Sequence, residues 1–580
     1  MSGFQDKVSF IWSIADLLRG DYKQSEYRKV ILPFTVLRRC GSLPPDSSDL
    51  LRHLKTLPAE LREILDCFQF RDTIARLQKA GLLELILERF ARIDLDPASV
   101  SNHEMGYIFE ELIRKFSEQS NETAGEHFTP REVVHLMVRL VFQDDSGAGK
   151  SLYDPACGTG GMLAAAEEYA RETLEIAGQE LNPESYAICK ADALMRGHAA
   201  SSIALGNSFT QDAFTGRQFD YILSNPPFGV DWRKVEKHVR AERESLGFRG
   251  RFGAGLPRVN DGSLLFLQHM LSKMKPEGTR IAVVFNGSPL FVGDAGSGES
   301  EIRRWIFEND WLEAIIALPD QLFYNTGLAT YIWLLTNRKS RARQGRVQLI
   351  NAVTFYQKMA RSLGAKRNEI PAPQLDRICE IHRAFAAGPN SRILSNRDFG
   401  YRRITIERSL RLRFHVTPDR IRAIQRKFVP LAVEALAAMD SQTVYHNQSS
   451  FDEALQSALA RAGMKLGRTL ARRMRDAFAE QDDTAAIYRD AKNRPVPDPN
   501  LRDNEDVPLE EDIEPWFERE VLPYAPDAWI AAGEPCIGYA IPFARFFFEP
   551  EPVRSLAEID CEMQDLEREA QALLREFGTS

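Results

Sequence analysis

Apolar residues recur at three- and four-residue intervals through the first hundred positions, in FIWSIADLLRG, LREILDCFQF and TIARLQKAGLLELILERF. Each run puts an apolar stripe on one helix face and no period-two alternation interrupts them, so residues 1–105 are expected to be all-helical. From about residue 150 the pattern turns into short apolar runs bounded by Gly, Pro and Asn: SLYD, TLEIAGQEL, FDYILS, TRIAVVF, LEAIIAL and ATYIWLLT. Strands apolar along their whole length, alternating with helical stretches, predict a mostly parallel sheet covered by helices, an α/β unit over 106–355. A charged helical pattern then predicts a mainly helical region over 356–545. It ends in the polar, Pro-containing stretch NRPVPDPNLRDNEDVPLEED, read as a linker or surface loop. In the last segment, 546–580, Leu556, Ile559, Met563, Leu566, Ala570, Leu573 and Phe577 keep 3-4 spacing, with Ser555 and Glu558 as a candidate capping box. So narrow a seam fits either a helix packed on its own domain or one that docks on a partner chain.

Composition narrows the classes. With 580 residues, 44% of them hydrophobic, the chain can bury two to four separate cores. Its 74 Lys+Arg against 82 Asp+Glu give a net charge of -8, so any nucleic-acid contact must come from a local patch or a partner. No apolar run approaches the roughly 18–20 residues of a bilayer span, and MSGFQDKVSF lacks the regions of a signal peptide, so a cytoplasmic protein without membrane contact is expected. Seven scattered cysteines, none in CxxC spacing, indicate neither a disulfide framework nor a zinc site, and no metal is expected.

The candidate chemistry begins at SLYDPACGTGGM, where an apolar strand ending at Asp154 runs into Gly158, Gly160 and Gly161 and then into the helical stretch MLAAAEEYA. Strand, tight Gly turn and helix let a ligand approach backbone closely. A second strand, in TLEIAGQEL, closes on Glu180, 26 residues after Asp154, near the spacing at which a carboxylate takes ribose hydroxyls. Together they describe a pocket for an adenosine-containing cofactor. A third strand ends at Ser224 and delivers Asn225, Pro226, Pro227 and Phe228 to the same sheet edge. The prolines stiffen the backbone and leave carbonyls only. An exocyclic amino nitrogen is a poor nucleophile because its lone pair is delocalised into the ring. Acceptors aimed at its N–H groups, the Asn225 side-chain oxygen and the Pro226 carbonyl, would localise that pair, and Phe228 would offer a stacking face.

Between this strand and the next lies DWRKVEKHVRAERESLGFRGRFGAGLPRVNDGS, with eight Lys/Arg and five Asp/Glu from Asp231 to Asp261. Arg249, Arg251 and Arg258 sit in a part of it free of acidic residues. A solvated loop and a phosphate-contacting loop are both open readings.

GEHFTPR (125–131), DPACGTGG (154–161), GQELN (178–182), GNSF (206–209) and NPPFG (225–229) resemble, in that order, the motifs of amino-group DNA methyltransferases. LPDQLFYNTGLATYIWLLTNRK, DYKQSEYRKVILPFTVLRR and GYAIPFARFFFEPEP bring the resemblance closer to the modification subunit of type I restriction-modification systems. It implies an S-adenosylmethionine-dependent fold with a seven-stranded, mostly parallel Rossmann-like sheet. It also implies N6-adenine transfer, since Asn stands before Pro-Pro and Phe after it, with the adenine flipped from duplex DNA. By position, Glu126, His127, Phe128, Thr129, Pro130 and Arg131 would hold the methionine end of the cofactor. Asp154 and the loop Pro155, Ala156, Cys157, Gly158, Thr159, Gly160 and Gly161 would approach methionine and ribose, and Glu180 the ribose. Asn207 would reach the adenine ring or serve as a turn residue. Read without the family, Thr129, Pro130 and Glu132 are a helix start, with the hydroxyl as N-cap.

The implied partners are a specificity subunit that reads the sequence and docks through the C-terminal helix, a second modification subunit, and, where the system is complete, a nuclease and translocase subunit. Alternatives are a solitary adenine methyltransferase whose residues 356–545 read DNA, though no evident helix-turn-helix is seen there, and, more remotely, a glutamine or RNA methyltransferase.

Overall fold

The structure is a computed structural model describing all residues except 1, 45–46, 120–128, 144, 146–148, 171–173, 198–201, 325–326, 364, 491, 549–554 and 578–580. The chain opens with helices α1 (Ser2–Leu18), α2 (Tyr27–Arg39), α3 (Ser47–Thr56), α4 (Ala59–Cys67), α5 (Phe70–Lys79), α6 (Leu83–Ala91) and α7 (Asn102–Gln119). Their apolar stripes converge on one core in which Phe34 meets the edge of Phe70 and stacks on Phe90, at centroid distances of 5.0 and 5.5 Å. That core runs on to Phe116, so α7 belongs with these helices and the unit extends past residue 105.

Helices α8 (Arg131–Val141), α9 (Gly161–Tyr169) and α10 (Pro183–Met195) alternate with strands β1 (Ser151–Asp154), β2 (Glu175–Glu180), β3 (Ile203–Leu205) and β4 (Tyr221–Ser224). After α11 (Glu236–Leu246) and α12 (Ser263–Ser272) come β5 (Arg280–Asn286), α13 (Ser288–Phe291), α14 (Gly298–Glu308), β6 (Leu312–Ala317), β7 (Thr330–Thr336) and β8 (Arg346–Asn351). A hairpin of β9 (Gln357–Leu363) and β10 (Lys366–Glu369), α15 (Ala372–Ala384) and β11 (Ser391–Ser395) follow. All six apolar runs singled out in the sequence contain strands of one sheet, ordered β11-β8-β6-β7-β5-β4-β1-β2-β3. The sheet has nine strands where seven are expected, because β8 and β11 extend it beyond β6. Strand β7 runs antiparallel between β5 and β6, whereas β1 is parallel to both β2 and β4. Asp154, Glu180 and Ser224 therefore all end their strands on one edge, the carboxyl edge where open α/β sheets bind ligands.

Helix α10 is buried on nearly every face. Ala187, Ile188, Ala191 and Met195 enter the core of the N-terminal helices, while Tyr186 and Cys189 enter the core above the sheet. Lys190, also buried, donates to Glu63 of α4 at 2.6 Å and to the Tyr186 hydroxyl at 2.8 Å, so its charge is paired across the joint.

The region 356–545 mixes strands with helices instead of being mainly helical. Strand β12 (Gly400–Arg408) pairs antiparallel with β16 (Asp503–Pro508), β17 (Ala528–Ile530) and β18 (Cys536–Tyr539), and this small sheet seats Phe399 and Tyr539 on Phe307 of α14. The expected polar linker contains β16, an edge strand whose carboxylates hid it; Asp506 pairs with Arg403 at 2.7 Å. Between β12 and β16 the chain builds a module with its own core: β13 (Leu412–His415), α16 (Pro418–Ile424), α17 (Pro430–Ala437), β14 (Val444–Tyr445), α18 (Gln448–Arg461), α19 (Arg468–Phe478) and β15 (Ala479–Gln481). Short α20 (Ile513–Glu520) and α21 (Phe543–Phe546) precede the final helix, α22 (Leu556–Phe577). Its capping box is formed, with Glu558 N–H donating to the Ser555 hydroxyl at 3.3 Å and Ser555 N–H to the Glu558 carboxylate at 2.8 Å. Leu556, Met563 and Leu566 are 80%, 56% and 64% exposed. No helix among the described residues is long and apolar enough to cross a membrane.

Candidate active site

Strand β1 breaks into a turn because Gly158 and Gly160 take φ of +55° and +88°, which only glycine adopts readily. A Cβ at Gly158 or Gly161 would meet nothing within 4 Å, so open space lies over the turn, while one at Gly160 would stand 2.8 Å from the Cys189 sulfur. The Gly158 N–H donates to Glu180 at 2.8 Å, and the other carboxylate oxygen accepts from Asn182 N–H at 2.7 Å. Asp154 is buried, and its Oδ1 accepts from Ala156 N–H at 3.0 Å and from the Ser224 hydroxyl at 2.7 Å. Burial pushes its carboxyl up to about 7; the two hydrogen bonds oppose the rise and the Glu180 charge adds to it. A cleft of about 130 Å³, lined among others by Thr129, Arg131, Thr159, Gly161 and Arg196, opens beside the turn. The open Gly turn flanked by two carboxylates fits the adenosine and methionine parts of the expected cofactor.

Strand β4, parallel to β1, carries Asn225 to the same edge, where its amide Nδ2 donates to the Thr129 hydroxyl at 2.9 Å. This corrects the reading of the α8 start. The helix begins at Arg131 with Pro130 in the capping position and no side-chain cap, because the Thr129 hydroxyl faces Asn225. Glu132 likewise turns away from the helix end to pair with Lys366 of β10, and Arg131 pairs with Glu110 of α7 at 2.9 Å. Glu126, His127 and Phe128 lie outside the described residues. Pro226 is buried and Pro227 half-buried. Phe228 is buried as well, within the core above the sheet, and meets Phe323 edge to face at 6.5 Å. Asn207 serves the turn, its Oδ1 accepting from the N–H groups of Phe209 and Thr210 at 2.9 and 3.3 Å. Next to it, the Ser208 hydroxyl donates to the Pro155 carbonyl at 2.6 Å and ties this loop to the Gly turn.

The three arginines separate. Arg249 and Arg258 are exposed, Arg258 reaching the Ser288 hydroxyl at 3.1 Å. Arg251 does not fit a DNA-contacting role. Its guanidinium donates to the Ser208 and Phe209 carbonyls, both at 2.7 Å, and to Glu242 of α11 at 2.6 Å, with side-chain exposures of 14% and 12% for the ion pair. Burial alone would raise the Glu242 carboxyl, yet the hydrogen bonds from Arg251 hold it below its ordinary range. Arg251 Nη1 also lies 3.2 Å from His269 Nδ1, and His269 Nε2 lies 3.1 Å from the Tyr153 hydroxyl. Arginine only donates, so Nδ1 accepts and the Nε2–H donates to Tyr153, a neutral imidazole that burial and the Arg251 charge keep from protonating. Arg251 is thus a clamp between the 207–210 turn and β1. The surrounding segment is no solvated loop: Trp232, Val239 and Phe252 close a small core with Phe209 and Leu265.

A strand order of β3-β2-β1-β4-β5-β7-β6 with β7 reversed, a Gly turn after β1 and a carboxylate closing β2 define a class I S-adenosylmethionine-dependent methyltransferase fold. The family described as N-6 DNA Methylase matches residues 100–398, and the HsdM N-terminal domain matches 7–137. The chain belongs to the N-6 DNA methylase family. A type I restriction enzyme methylase subunit, MjaIX, of Methanocaldococcus jannaschii is 28% identical over 58% of this chain and 58% of its own length. The HindI methylase subunit of Haemophilus influenzae is 30% identical over 43% of this chain and 54% of its own. The chain thus spans somewhat more than half the length of these curated relatives. Among solved structures, the type I restriction-modification methyltransferase subunit of Streptococcus thermophilus shares the fold, with a TM-score of 0.54 at 20% identity over 68% of this chain and 96% of that one.

Proposed function

We propose that the chain is the catalytic modification subunit of a type I restriction-modification assembly, methylating N6 of an adenine flipped out of duplex DNA. The observation that carries this reading is the meeting of Asn225 and Thr129 on the sheet edge that also bears Asp154 and Glu180. S-adenosylmethionine, when bound, supplies an electrophilic methyl group. Asp154, the 155–161 turn and Glu180 would hold it, with Thr129 to Arg131 toward its methionine end. Asn225 accepts an N–H from the target amino group and the Pro226 carbonyl accepts the other, which localises the nitrogen lone pair; Thr129 fixes the Asn225 amide by taking one of its own N–H groups. Pro226 and Pro227, within the Asn225–Phe228 bend, keep those acceptors from relaxing away.

Sequence reading belongs in this scheme to a specificity subunit engaged by the exposed seam of α22, within a cytoplasmic complex that includes a second modification subunit and, in a complete system, a restriction subunit. In this scheme the N-terminal helices α1–α7 serve DNA and partner contacts, the sheet unit from α8 to β11 catalysis, the region from β12 to α21 support, and α22 docking. Arg249 and Arg258 stand as the phosphate contacts beside the pocket. The test is incubation of the purified chain with labelled S-adenosylmethionine and genomic DNA, with and without the product of the neighbouring gene. Methyl-adenine only in the presence of the neighbour supports the reading; activity from the chain alone supports a solitary enzyme. In the Asn225→Ala chain, S-adenosylmethionine binding persists while methylation falls about a hundredfold or more; undiminished methylation sinks the assignment.

A further inference from the structure

The segment between β12 and β16 belongs to neither the N-terminal nor the sheet core. Ile406 and Asp503 are paired neighbours, so the chain leaves and re-enters the small sheet at one place and builds a separate core in between, around Phe414, Phe451, Leu455, Met474 and Phe478. Within it α18, a six-residue connection (462–467) and α19 form a pair of consecutive helices beside the three-stranded β14-β13-β15 sheet, followed by a hairpin closed by Val496 N–H to the Tyr488 carbonyl at 3.0 Å. Helix α19 is divided into two faces. Ala471, Met474 and Phe478 are buried, while Arg468, Thr469, Arg472 and Arg473 are exposed, with Arg461 and Lys465 exposed just before it. Arg473 is held against the module by the Phe428 ring at 5.1 Å, whereas Arg472 is 82% exposed and only loosely paired, 3.9 Å from Asp476.

Charge sets the module apart. Ser409 to Arg502 holds sixteen Lys/Arg and eleven Asp/Glu, a net of +5 in a chain whose total is -8. A net-positive module whose exposed helix face carries Arg468, Arg472 and Arg473 suits a polyanion, unlike the net-negative remainder of the chain. Placing the second of two consecutive helices outward, with basic residues in its first two turns, is how helix-turn-helix modules meet the duplex. The module is also tied to the segment that follows the Asn225–Phe228 bend, where Trp232 Nε1–H donates to the Arg258 carbonyl at 2.9 Å. Strand β12 passes Asp294 at Arg403, a 2.6 Å ion pair, and five residues after Asp294 the Glu299 carboxylate accepts from Arg258 N–H at 2.8 Å. From Arg403 to Ser409 the strand advances about 20 Å, less than one turn of duplex.

We propose that residues 409–502 form an accessory duplex-DNA-binding module that lays the exposed face of α19 against the phosphates, Arg468 and Arg472 being the principal contacts. The proposal rests on duplex DNA being the substrate, as above. The test is the full-length chain carrying Arg468→Glu and Arg472→Glu, with Arg468→Gln and Arg472→Gln as the milder pair, all checked for an unchanged melting temperature. Binding to a fluorescent duplex of arbitrary sequence is measured from about 50 to 200 mM salt. Loss of two phosphate contacts lowers the slope of log affinity against log salt by about two and weakens binding about ten- to sixty-fold near 0.1 M. At saturating DNA the methylation rate is unchanged and only the DNA concentration for half-maximal rate rises. Unchanged affinity and slope in both pairs overturn the proposal and leave the basic face to a protein partner. If the catalytic reading is what fails, the unmutated chain methylates nothing with or without its neighbour, while the binding comparison still gives its own answer.

Discussion

Replacing Arg251 with Met keeps an unbranched stem of similar length and deletes the guanidinium. Glu242, 12% exposed, then loses its cation, and the carbonyls of Ser208 and Phe209 lose their donors. Removing one partner of a buried pair costs about 3–5 kcal/mol, because the remaining charge stays desolvated. Each carbonyl left without its donor adds up to about 1 kcal/mol, and the residual exposure of the pair subtracts a similar amount. A loss of about 3–5 kcal/mol is therefore expected, more than a hundredfold in the opening equilibrium. Adding Glu242→Gln removes the stranded charge, so the double variant should recover about 1–2 kcal/mol of that loss. The assay is hydrogen exchange read on peptides covering residues 231–265, with denaturant unfolding as a global control. A loss below about 1 kcal/mol, together with weakened duplex binding, would refute the clamp and restore Arg251 as a phosphate contact.

Three further outcomes follow from the site and the final helix. Asp154 holds its proton up to pH about 7 in the folded chain and only to the ordinary carboxyl range when unfolded. Its contribution thus favours folding at low pH and is lost as pH rises from about 4 to 7; Asp154→Asn should raise stability at pH 8 by about 2–4 kcal/mol, leave it unchanged at pH 4, and weaken cofactor binding. Equal stability gains at both pH values by thermal melts would contradict this. Gly160→Ala combines a left-handed φ with a Cβ 2.8 Å from the Cys189 sulfur, so calorimetric titration should show cofactor affinity down at least about tenfold, partly restored by adding Cys189→Ala. Met563→Asp with Leu566→Asp should leave the melting temperature of the chain untouched, since both side chains are exposed, but, under the proposed assembly, abolish co-purification with its specificity subunit; retained co-purification would overturn α22 as the docking surface.

The parts legible in the sequence are those whose signal is local. Apolar runs such as LEAIIA and TYIWLLT are buried along their length and read directly as central strands. The Gly turn and NPPF announce themselves because tight backbone needs particular residues. What stayed hidden depends on pairing across long separations. Thr129 and Asn225 lie 96 positions apart, and nothing near Thr129 distinguishes a hydroxyl that caps a helix from one that holds an amide. Arg251 sits in a stretch without acidic residues, so its charge reads as free; the partner that consumes it, Glu242, comes from the preceding helix. Strand β16 carries Asp503, Glu505 and Asp506 at a sheet edge, where carboxylates facing water cost little and an apolar pattern is not required. Helical pattern was legible across α18 and α19, but their arrangement as an adjacent pair was not, because α19 buries only Ala471, Met474 and Phe478 spaced among arginines.

Helix α10 gives one consequence for the whole assembly. Its side chains complete both the N-terminal core and the core above the sheet, so neither can open without exposing apolar surface of the other. Its first turn is capped by Asn182, two residues from the Glu180 carboxylate that closes the pocket. Anything that occupies that pocket therefore stiffens a beam whose far side is the wall of another room, and the protection of α4 and α7 becomes a gauge of what is bound some distance away.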